Sequence, residues 1–443
     1  MVFALIAGYM LIACDNPKLP KSGLKGEGYL QVEDLVRGNR YGKGGYLLKG
    51  HLRSFSWEEG EFKKLPVRCY LIGPAGPPPL DALLYVRGVL KEGRGLSYKF
   101  KMDSKEGWRV VDQRPSFSTY RFRAKEGLSQ LLKTHFKGER EVSFLNGLAT
   151  GNFTDSALIS CFGRLGLAHL MAISGFHFTI LALLLSLILR LLLPPITGRL
   201  ALALGLTFYA LFIGGSASVM RAWTMALLSL VAPLLCRKGN PLNSIGVALG
   251  LITLTDPRAT ATLGFQFSFL CTAAILLFYK PLEELLTYFL PRMSYKEAHL
   301  LSVLDKHGYL ALAFLRSLTA LTLAVHLLAL PLTLFYFQRF CLMGLVYNLF
   351  FPLLITLVMF LLAIALVLSP LIGPLGRPLF NVVELLTKFS INFASDVPPF
   401  FDFTLRTGPL SANLIALIVL AWLTLGFAYA AKKGSLGSVR GCN

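Results

Sequence analysis

The sequence predicts a polytopic bundle of membrane-spanning helices with a small β domain in front of it. Hydrophobic residues make up 54% of the 443 residues and charged residues only 15%, whereas a soluble domain has about 25% charged residues. Several apolar runs reach the roughly 20 residues that cross the hydrocarbon core of a bilayer, and a polar, β-rich region precedes them. We therefore expect an all-α membrane bundle of about eight to ten spanning or re-entrant helices with an extracytoplasmic β-barrel at its N-terminal end.

The first 14 residues, MVFALIAGYMLIAC, are apolar but short for a spanning helix. We predict a membrane-associated helix over residues 1–14. Two other interpretations stay open: the segment LIAC before Asp15 resembles a lipoprotein cleavage site, and the run could be the end of a longer transmembrane helix.

Residues 25–113 form the predicted β domain. Segments such as GGYLLKGHLRSF and ALLYVRGVL are β-rich and partly alternating, and turns such as GPAGPPPL separate them. Five or six strands over roughly 90 residues indicate a small barrel or sandwich. Their number and spacing fit an OB-type barrel, a fold that often binds oligonucleotides. Other small β folds share the pattern, and a fold alone does not decide function.

The rest of the chain divides into three parts. Residues 116–164 mix basic and apolar residues at helical spacing, which predicts amphipathic helices that connect the β domain to the bundle. Residues 165–431 form the polytopic domain, and residues 432–443 form a predicted cytoplasmic tail. We predict nine segments that span or enter the membrane, at 165–189, 200–213, 219–235, 242–256, 264–279, 311–336, 342–368, 378–395 and 410–430.

Basic residues between these segments predict the orientation of the chain. Lys432 and Lys433 follow the last segment, and cytoplasmic loops are enriched in lysine and arginine. We therefore place the C-terminus in the cytoplasm and the β domain on the outer face of the inner membrane. Counting back, the other basic residues on the cytoplasmic side are Arg190, Arg199, Arg237, Lys238, Lys280, Arg292, Lys296 and Lys306.

Several polar side chains lie within the apolar segments or at their ends. Ionisable groups in a membrane are costly and usually face a pore or a partner. Hydrogen bonding between helices, worth about 0.6 kcal/mol a pair, would explain any single one of them. Together they favour a hydrophilic path, with His326 and Asn348 deeper than the others. The predicted path residues are His169, Ser174, His177, Arg221, Gln266, Ser268 and Asn348.

The sequence does not favour an enzyme. Ser174 and His177 have the spacing of helical neighbours, but the strand–turn–helix setting of a nucleophile elbow and a nearby acid are both missing. We find no metalloprotease, P-loop or dinucleotide-binding motif, and the seven cysteines lack zinc spacing. We therefore expect no catalytic residues, no metal and no cofactor.

Four segments of the bundle form a recognisable set of motifs. They are, in order along the chain, GLAHLMAISGFHFTIL, GGSASVMRAWTMALL, DPRATATLGFQFSFLCTAAILL and HLLALPLTLFYFQRFCLMGLVYNLFFPLL. In sequence and in order, these segments resemble the ComEC/Rec2 family, the inner-membrane channel proteins of natural competence.

The resemblance implies that the protein carries one DNA strand across the cytoplasmic membrane. It also implies an OB-like domain before the bundle and separate partner proteins, a DNA receptor and a helicase-like ATPase. Homo-oligomers are compatible with it. Many members carry a C-terminal metallo-β-lactamase-like domain, but this sequence has no His-x-His-x-Asp-His run and resembles the form without that domain.

The predicted β domain has the composition of a single-strand binding surface. Basic side chains are interleaved with aromatic ones such as Tyr70, Tyr85 and Trp108, and stacking contributes roughly 1–3 kcal/mol per base without sequence preference. A solvated basic surface would have a similar composition. The predicted DNA contacts are Arg53, Arg68, Arg87, Lys99, Lys101 and Arg109.

A small-solute transporter is the alternative function. The same polar residues would then form a binding site near the bilayer midplane. Many such transporters have internal two-fold repeats, and we find none in this sequence.

Overall fold

The computed structural model describes most of the chain. The predicted helix at 1–14 and the predicted path residue Ser174 lie outside the described residues. The described ranges are 19–20, 22–40, 43–57, 60–72, 82–92, 98–102, 108–112, 117–153, 155–171, 175–237, 239–291, 302–372, 376–398, 401 and 403–439.

Six strands form one sheet in the N-terminal domain. Strand β1 pairs antiparallel with β2 and β4, and β2 pairs antiparallel with β3. Strand β4 pairs antiparallel with β5 and β6, whereas β3 and β5 are parallel. The strands are β1 (Leu24–Arg40), β2 (Lys43–Trp57), β3 (Gly60–Ile72), β4 (Leu83–Glu92), β5 (Tyr98–Met102) and β6 (Trp108–Asp112).

The alternation in the sequence places one face of this sheet in a core. On β4, Leu84, Val86 and Leu90 are completely buried, while Tyr85 and Arg87 between them point outward. Successive side chains of a strand point to opposite faces, so every second residue joins the core.

Twelve helices follow within the described residues. Those of the bundle are α4 to α12. The bounds are α1 (Phe117–His135), α2 (Glu139–Thr150), α3 (Ser156–Arg164), α4 (Gly175–Leu192), α5 (Pro195–Ile213), α6 (Ala217–Val231), α7 (Pro241–Thr255), α8 (Leu263–Leu286), α9 (Val303–Phe337), α10 (Gly344–Ile372), α11 (Gly376–Ser395) and α12 (Ala412–Val439).

Six of these helices are long and apolar enough to span a membrane: α5, α6 with the 3₁₀ turn after it, α8, α9, α10 and α12. Helices α4 and α7 are apolar but shorter. Large apolar side chains cover the outside of the bundle; Leu204 and Phe208, for example, are 72% and 71% exposed. Lipid is the solvent for such a surface, and the chain is a multi-pass membrane protein.

Three predicted spans differ from the structure. The segment 242–256 corresponds to α7, which is apolar but shorter than the six helices. The segment 165–189 is interrupted, because a 3₁₀ turn at Ala168–Met171 precedes α4. The segment 378–395 corresponds to α11, which is amphipathic and is not one of the six apolar helices. Its buried side includes Val383 and Ile391, while Glu384 and Lys388 form an exposed ion pair of 2.6 Å. Helix α12 also continues beyond residue 432, so the predicted tail begins within a helix.

A short two-stranded sheet shows which helix ends lie together. Strand β7 (Arg339–Cys341) follows α9 and pairs antiparallel with β8 (Thr404–Arg406), which precedes α12. The end of α9 and the start of α12 therefore lie at the same end of the bundle. We call this end, where α4, α6, α8, α10 and α12 begin, the entrance end.

Helix α1 attaches the β domain to the entrance end. Phe122 packs against the core of the sheet. One turn further on, Lys125 is only 7% exposed, and its Nζ donates a 2.7 Å hydrogen bond to the carbonyl of Ile213, the last residue of α5. A cation at this position satisfies a terminal carbonyl and interacts favourably with the helix dipole.

Replacing Lys125 with methionine should lower the midpoint of thermal unfolding of the purified protein in detergent. The free energy of unfolding is expected to fall by about 1–3 kcal/mol, because the buried carbonyl of Ile213 loses a charged hydrogen-bond donor. The matched control is Lys133→Met, which removes an exposed lysine of the same helix. Equal shifts in both variants would show that the contact with Ile213 is not stabilising.

Candidate functional site

Arg221 connects two helices at the entrance end. It lies in the second turn of α6 and is 8% exposed. Its Nε donates a 2.8 Å hydrogen bond to Oγ of Ser268, and its Nη1 donates to Oγ1 of Thr272. Both hydroxyl groups belong to α8 and are one helical turn apart, so they lie on the same face. The arginine therefore holds α6 against α8.

Helix α4 completes this contact through a glycine. Gly175 is the first residue of α4, and a Cβ atom at this position would collide with Nη2 of Arg221. Only glycine leaves the space that the guanidinium occupies. The motif glycine and the motif arginine, which are far apart in the sequence, thus form one contact among three helices.

Gln266 forms a second polar link at the entrance end. Its Oε1 accepts a 2.7 Å hydrogen bond from the hydroxyl of Tyr336, near the end of α9. Its Nε2 donates to the carbonyl of Thr260 at 3.3 Å, in the 3₁₀ turn before α8. Both ends of the amide are therefore used, and its orientation is fixed.

Three histidines of the bundle lie within electrostatic range of one another. His169 is exposed in the 3₁₀ turn, bonds to the backbone of Gly166, and interacts electrostatically with both His326 and His177. His177 is completely buried in α4. Nδ1 of His326 lies 2.7 Å from the carbonyl of Thr322; a carbonyl can only accept, so Nδ1 carries the proton.

Asn348 lies close to the start of α10. Its Oδ1 is buried and has no hydrogen-bond partner among the described residues. An unsatisfied buried oxygen is costly, which is a reason to expect water or a ligand beside it. The start of α10 also touches the motif turn, since Gly344 lies against Leu165 and Gly166.

Most of the predicted path residues therefore gather at the entrance end. Sequence reasoning missed Gly175, Thr272 and Tyr336. The four-residue spacing from Ser268 to Thr272 could have indicated the second hydroxyl. No local pattern relates Tyr336 to Gln266, because that contact depends on how α8 and α9 pack. Within the described residues, no group of histidine, cysteine, aspartate and glutamate could hold a metal ion.

A second polar surface covers the outer face of β1 and β4. Glu27 lies opposite Arg87, and Tyr29 lies opposite Tyr85. The carboxylate of Glu27 accepts hydrogen bonds from the hydroxyl of Tyr85 at 2.6 Å and from Nη2 of Arg87 at 2.8 Å. The rings of Tyr29 and Tyr85 meet edge to face with centroids 5.7 Å apart. We call this surface the tyrosine face.

Other predicted DNA contacts adjoin this face. Arg109 on β6 lies opposite Tyr85 and is exposed. Arg53 on β2 is also exposed, and its Nε donates to Oε1 of Gln31 at 2.8 Å. Arginine and tyrosine side chains on one face can attract phosphates and stack on bases.

The remaining predicted contacts lie further along the sheet. Lys99 and Lys101 are exposed on β5, and Lys99 lies opposite Lys91 of β4. Arg68 lies on β3, where its backbone is in register with Lys99. The basic residues thus extend from the tyrosine face along β4 to β5.

Hydrogen bonds at the tyrosine face change the ionisation of two groups. The bonds from Tyr85 and then Arg87 lower the pKa of Glu27 below its usual 4.5. The bond to Glu27 raises the pKa of Tyr85 above its usual 10.0. Near neutral pH the Glu27 carboxylate is therefore ionised and interacts with Arg87.

The sheet lies next to the entrance end. Tyr98, on the buried face of β5, lies within electrostatic range of Arg258 in the 3₁₀ turn between α7 and α8. Gln266 bonds to that same turn through Thr260. The β domain and the polar cluster of the bundle are therefore neighbours.

Residues 148–432 match the family described as Competence protein. The match covers almost two thirds of the chain. The chain belongs to the competence protein family. The matched range begins in α2 and includes every polar residue of the entrance cluster, while the β domain precedes it.

The chain is also similar to a curated relative from Mycoplasma pneumoniae, the Uncharacterized protein MG316 homolog. The two are 30% identical over 231 residues, which cover 47% of this chain and 57% of the relative. The chain thus spans a little over half the length of that relative. No solved structure shows significant similarity to the chain.

Proposed function

We propose that this competence-family protein forms the path by which one DNA strand crosses the cytoplasmic membrane in natural transformation. Membership of the family indicates a role in DNA uptake. The observation that carries the finer proposal is the position of the β domain, with its basic, tyrosine-bearing face, at the entrance end of an otherwise apolar bundle, where Lys125 of α1 bonds to the last residue of α5. A single strand needs cationic and aromatic contacts before it enters hydrocarbon.

In this proposal the β domain captures the strand. The pairings run from β1 through β2, β3, β5 and β4 back to β1, an order that supports an OB-type barrel. The domain lies outside the cell, and the C-terminus lies in the cytoplasm. The basic residues Arg190 and Arg237 support this orientation, because they lie at the end of the bundle opposite the entrance.

The bundle then provides the path. His169, His326 and Asn348 face it and hydrate the strand, together with Gln266. Arg221 is buried and bonded to two hydroxyl groups, so we assign it to holding α6 and α8 together at the path rather than to binding a phosphate. His177, which is completely buried in α4, contributes to the shape of the entrance.

We propose no catalytic role for the chain. Transport of a polyanion against its own hydration needs work, and the sequence has no nucleotide-binding motif. A helicase-like ATPase on the cytoplasmic side supplies that work, and a separate receptor delivers DNA to the β domain. A homo-oligomer is compatible with this arrangement.

Site-specific photo-cross-linking tests the path. We would place a photoreactive phenylalanine analogue at Tyr336, next to Gln266, or at the matched control position Phe208, which faces lipid. Liposomes containing the full chain are irradiated with labelled single-stranded DNA. Cross-links at position 336 and not at 208 are expected. DNA cross-links at neither position would contradict the proposal and favour a small-solute transporter.

The tyrosine face supports a prediction about charge. Glu27→Gln should strengthen binding of single-stranded DNA about 2- to 10-fold at low salt, because it removes an anion and releases Arg87 from its ion pair. Fluorescence anisotropy of the full chain in detergent measures this affinity. The control is Glu61→Gln, an exposed acid on β3.

The same face makes binding depend on pH. Since the pKa of Glu27 is lowered, its carboxylate persists below pH 4.5. The hydrogen bonds that Glu27 accepts from Tyr85 and Arg87 stabilise the fold fully above the unfolded-state pKa of Glu27. This stabilisation is lost as the pH falls through the lower, folded-state pKa of Glu27. DNA affinity of the wild type should therefore rise at that acidic step and that of Glu27→Gln should not. Equal pH profiles would contradict the role of Glu27.

A further inference from the structure

The two-stranded sheet of β7 and β8 places two arginines directly opposite each other. Arg339 and Arg406 are in register across the pair. The amide of Thr407 donates to the carbonyl of Gln338, and that of Leu342 donates to Phe403, each at 3.0 Å. In an antiparallel ladder, hydrogen-bonded residue pairs alternate with pairs that exchange no backbone hydrogen bonds. Arg339 and Arg406 are next to the hydrogen-bonded pair Gln338 and Thr407, so they form a non-hydrogen-bonded pair with Cα atoms about 4.5 Å apart.

The two guanidinium groups have no protein counter-ion within the described residues. Both side chains are exposed, and neither makes an ion pair or a hydrogen bond with any residue that the structure describes. Like charges directly opposite each other destabilise a strand pair. An anion bound between them would turn this repulsion into attraction.

The two-stranded sheet of β7 and β8 lies beside the path residues. The ring of Phe340 is 5.7 Å from that of His326, which is about three turns before the end of α9. The sheet therefore lies alongside α9 instead of projecting beyond it.

One face of this sheet carries Arg339 and Arg406, and we call it the arginine face. Cys341 shares this face with Arg339, and Cys341 lies against Gly166 of the motif turn. The arginine face thus adjoins the motif turn.

We propose that Arg339 and Arg406 form a phosphate-binding pair that holds the backbone of the DNA strand at the entrance of the path. The inference deepens the proposed function and rests on it. Guanidinium groups bind phosphate oxygens through two parallel hydrogen bonds, and two opposed arginines can hold one phosphodiester from both sides. The phosphate of a lipid headgroup has the same chemistry. We favour the DNA strand because Cys341, on the same strand face as Arg339, lies against Gly166 of the motif turn, which is next to the polar cluster.

Binding of labelled oligothymidylate to the full chain tests this pair. The protein is held in nanodiscs of phosphatidylcholine, and the affinity is measured across a series of salt concentrations. Arg339→Gln and Arg406→Gln should each weaken binding about 5- to 10-fold. Each should reduce the slope of log affinity against log salt concentration by at most about 0.7, the contribution of one phosphate of a single strand. The control Arg190→Gln removes an exposed arginine at the opposite end of the bundle and should change neither.

A structural role predicts different results. If the two arginines bind phosphate, Arg339→Gln relieves the repulsion between them. The unfolding midpoint of the variant without DNA should then equal or exceed that of the wild type. A lower midpoint together with unchanged DNA affinity would overturn the proposal. So would loss of bound phosphatidylglycerol, measured in discs that contain it, with DNA binding intact; that result would assign the pair to lipid.

The failure of the inference can be distinguished from failure of the proposed function. If the wild type binds DNA and both arginine variants bind it equally well, the pair is not a phosphate site, and the DNA path remains. If the wild type itself binds no DNA in this assay and gives no cross-link at position 336, both proposals are wrong.

Discussion

Replacing Arg221 with alanine should destabilise the bundle by about 2–4 kcal/mol and reduce DNA uptake at least about tenfold. The guanidinium is buried and is the shared partner of Ser268 and Thr272. Its removal leaves two hydroxyl groups without this donor and a cavity next to Gly175. The contact between α6 and α8 at the entrance end would loosen, and the path residues on α8 would lose their positions.

The test compares unfolding midpoints and DNA uptake for Arg221→Ala, Arg221→Lys and the control Arg190→Ala. Lysine keeps the charge but lacks the planar guanidinium, whose separate nitrogens donate to the two hydroxyl groups. Its single ammonium can donate well to only one of them, so Arg221→Lys should recover only part of the stability that Arg221→Ala loses. Full stability of Arg221→Ala combined with lost uptake would contradict a positioning role and would favour direct contact with DNA.

Substituting Gly175 with valine should have the second largest effect. A side chain at this position takes the space of the Arg221 guanidinium, so the arginine must leave Ser268 and Thr272 or α4 must move. Overpacking of this kind costs about 1–3 kcal/mol, and the broken hydrogen bonds add to it. We expect a marked fall in the unfolding midpoint and in DNA uptake.

A double-mutant cycle shows whether the glycine acts through the arginine. Once Arg221→Ala has removed the guanidinium, Gly175→Val should cost much less, so the two effects should be strongly non-additive. The matched control is Gly246→Val on α7, where the added Cβ meets nothing within 4 Å. Additive effects would mean that Gly175 is required for some reason other than space for Arg221.

The sequence predicted the helices and strands whose pattern repeats along the chain. On β4, the alternation of Leu84, Val86 and Leu90 with Tyr85 and Arg87 indicates a half-buried strand, because the pleat has a period of two. The apolar runs of α9 and α10 are long enough to indicate membrane helices. Competence-family membership, expected from four motifs, was confirmed by the match over residues 148–432.

Other features depend on packing that no local pattern records. Helix α11 has enough apolar residues to resemble a span, but Glu384 and Lys388 give it a charged face, and its buried face packs within the protein. The opposition of Arg339 and Arg406 depends on the register between strands far apart in the sequence. The sequence predicted Arg221 as a path residue, but its partners on α8, which support a positioning role, depend on how α6 and α8 pack.

Uptake of fluorescent DNA into the cytoplasm tests the central claim most directly. We would delete the gene for this protein from a naturally transformable host that depends on it and restore either the wild-type chain or the double variant Arg339→Gln, Arg406→Gln. The account predicts that deletion abolishes cytoplasmic fluorescence while DNA still binds at the cell surface, and that only the wild type restores it. Cytoplasmic DNA at wild-type levels in the deletion strain would contradict a path for DNA through this bundle.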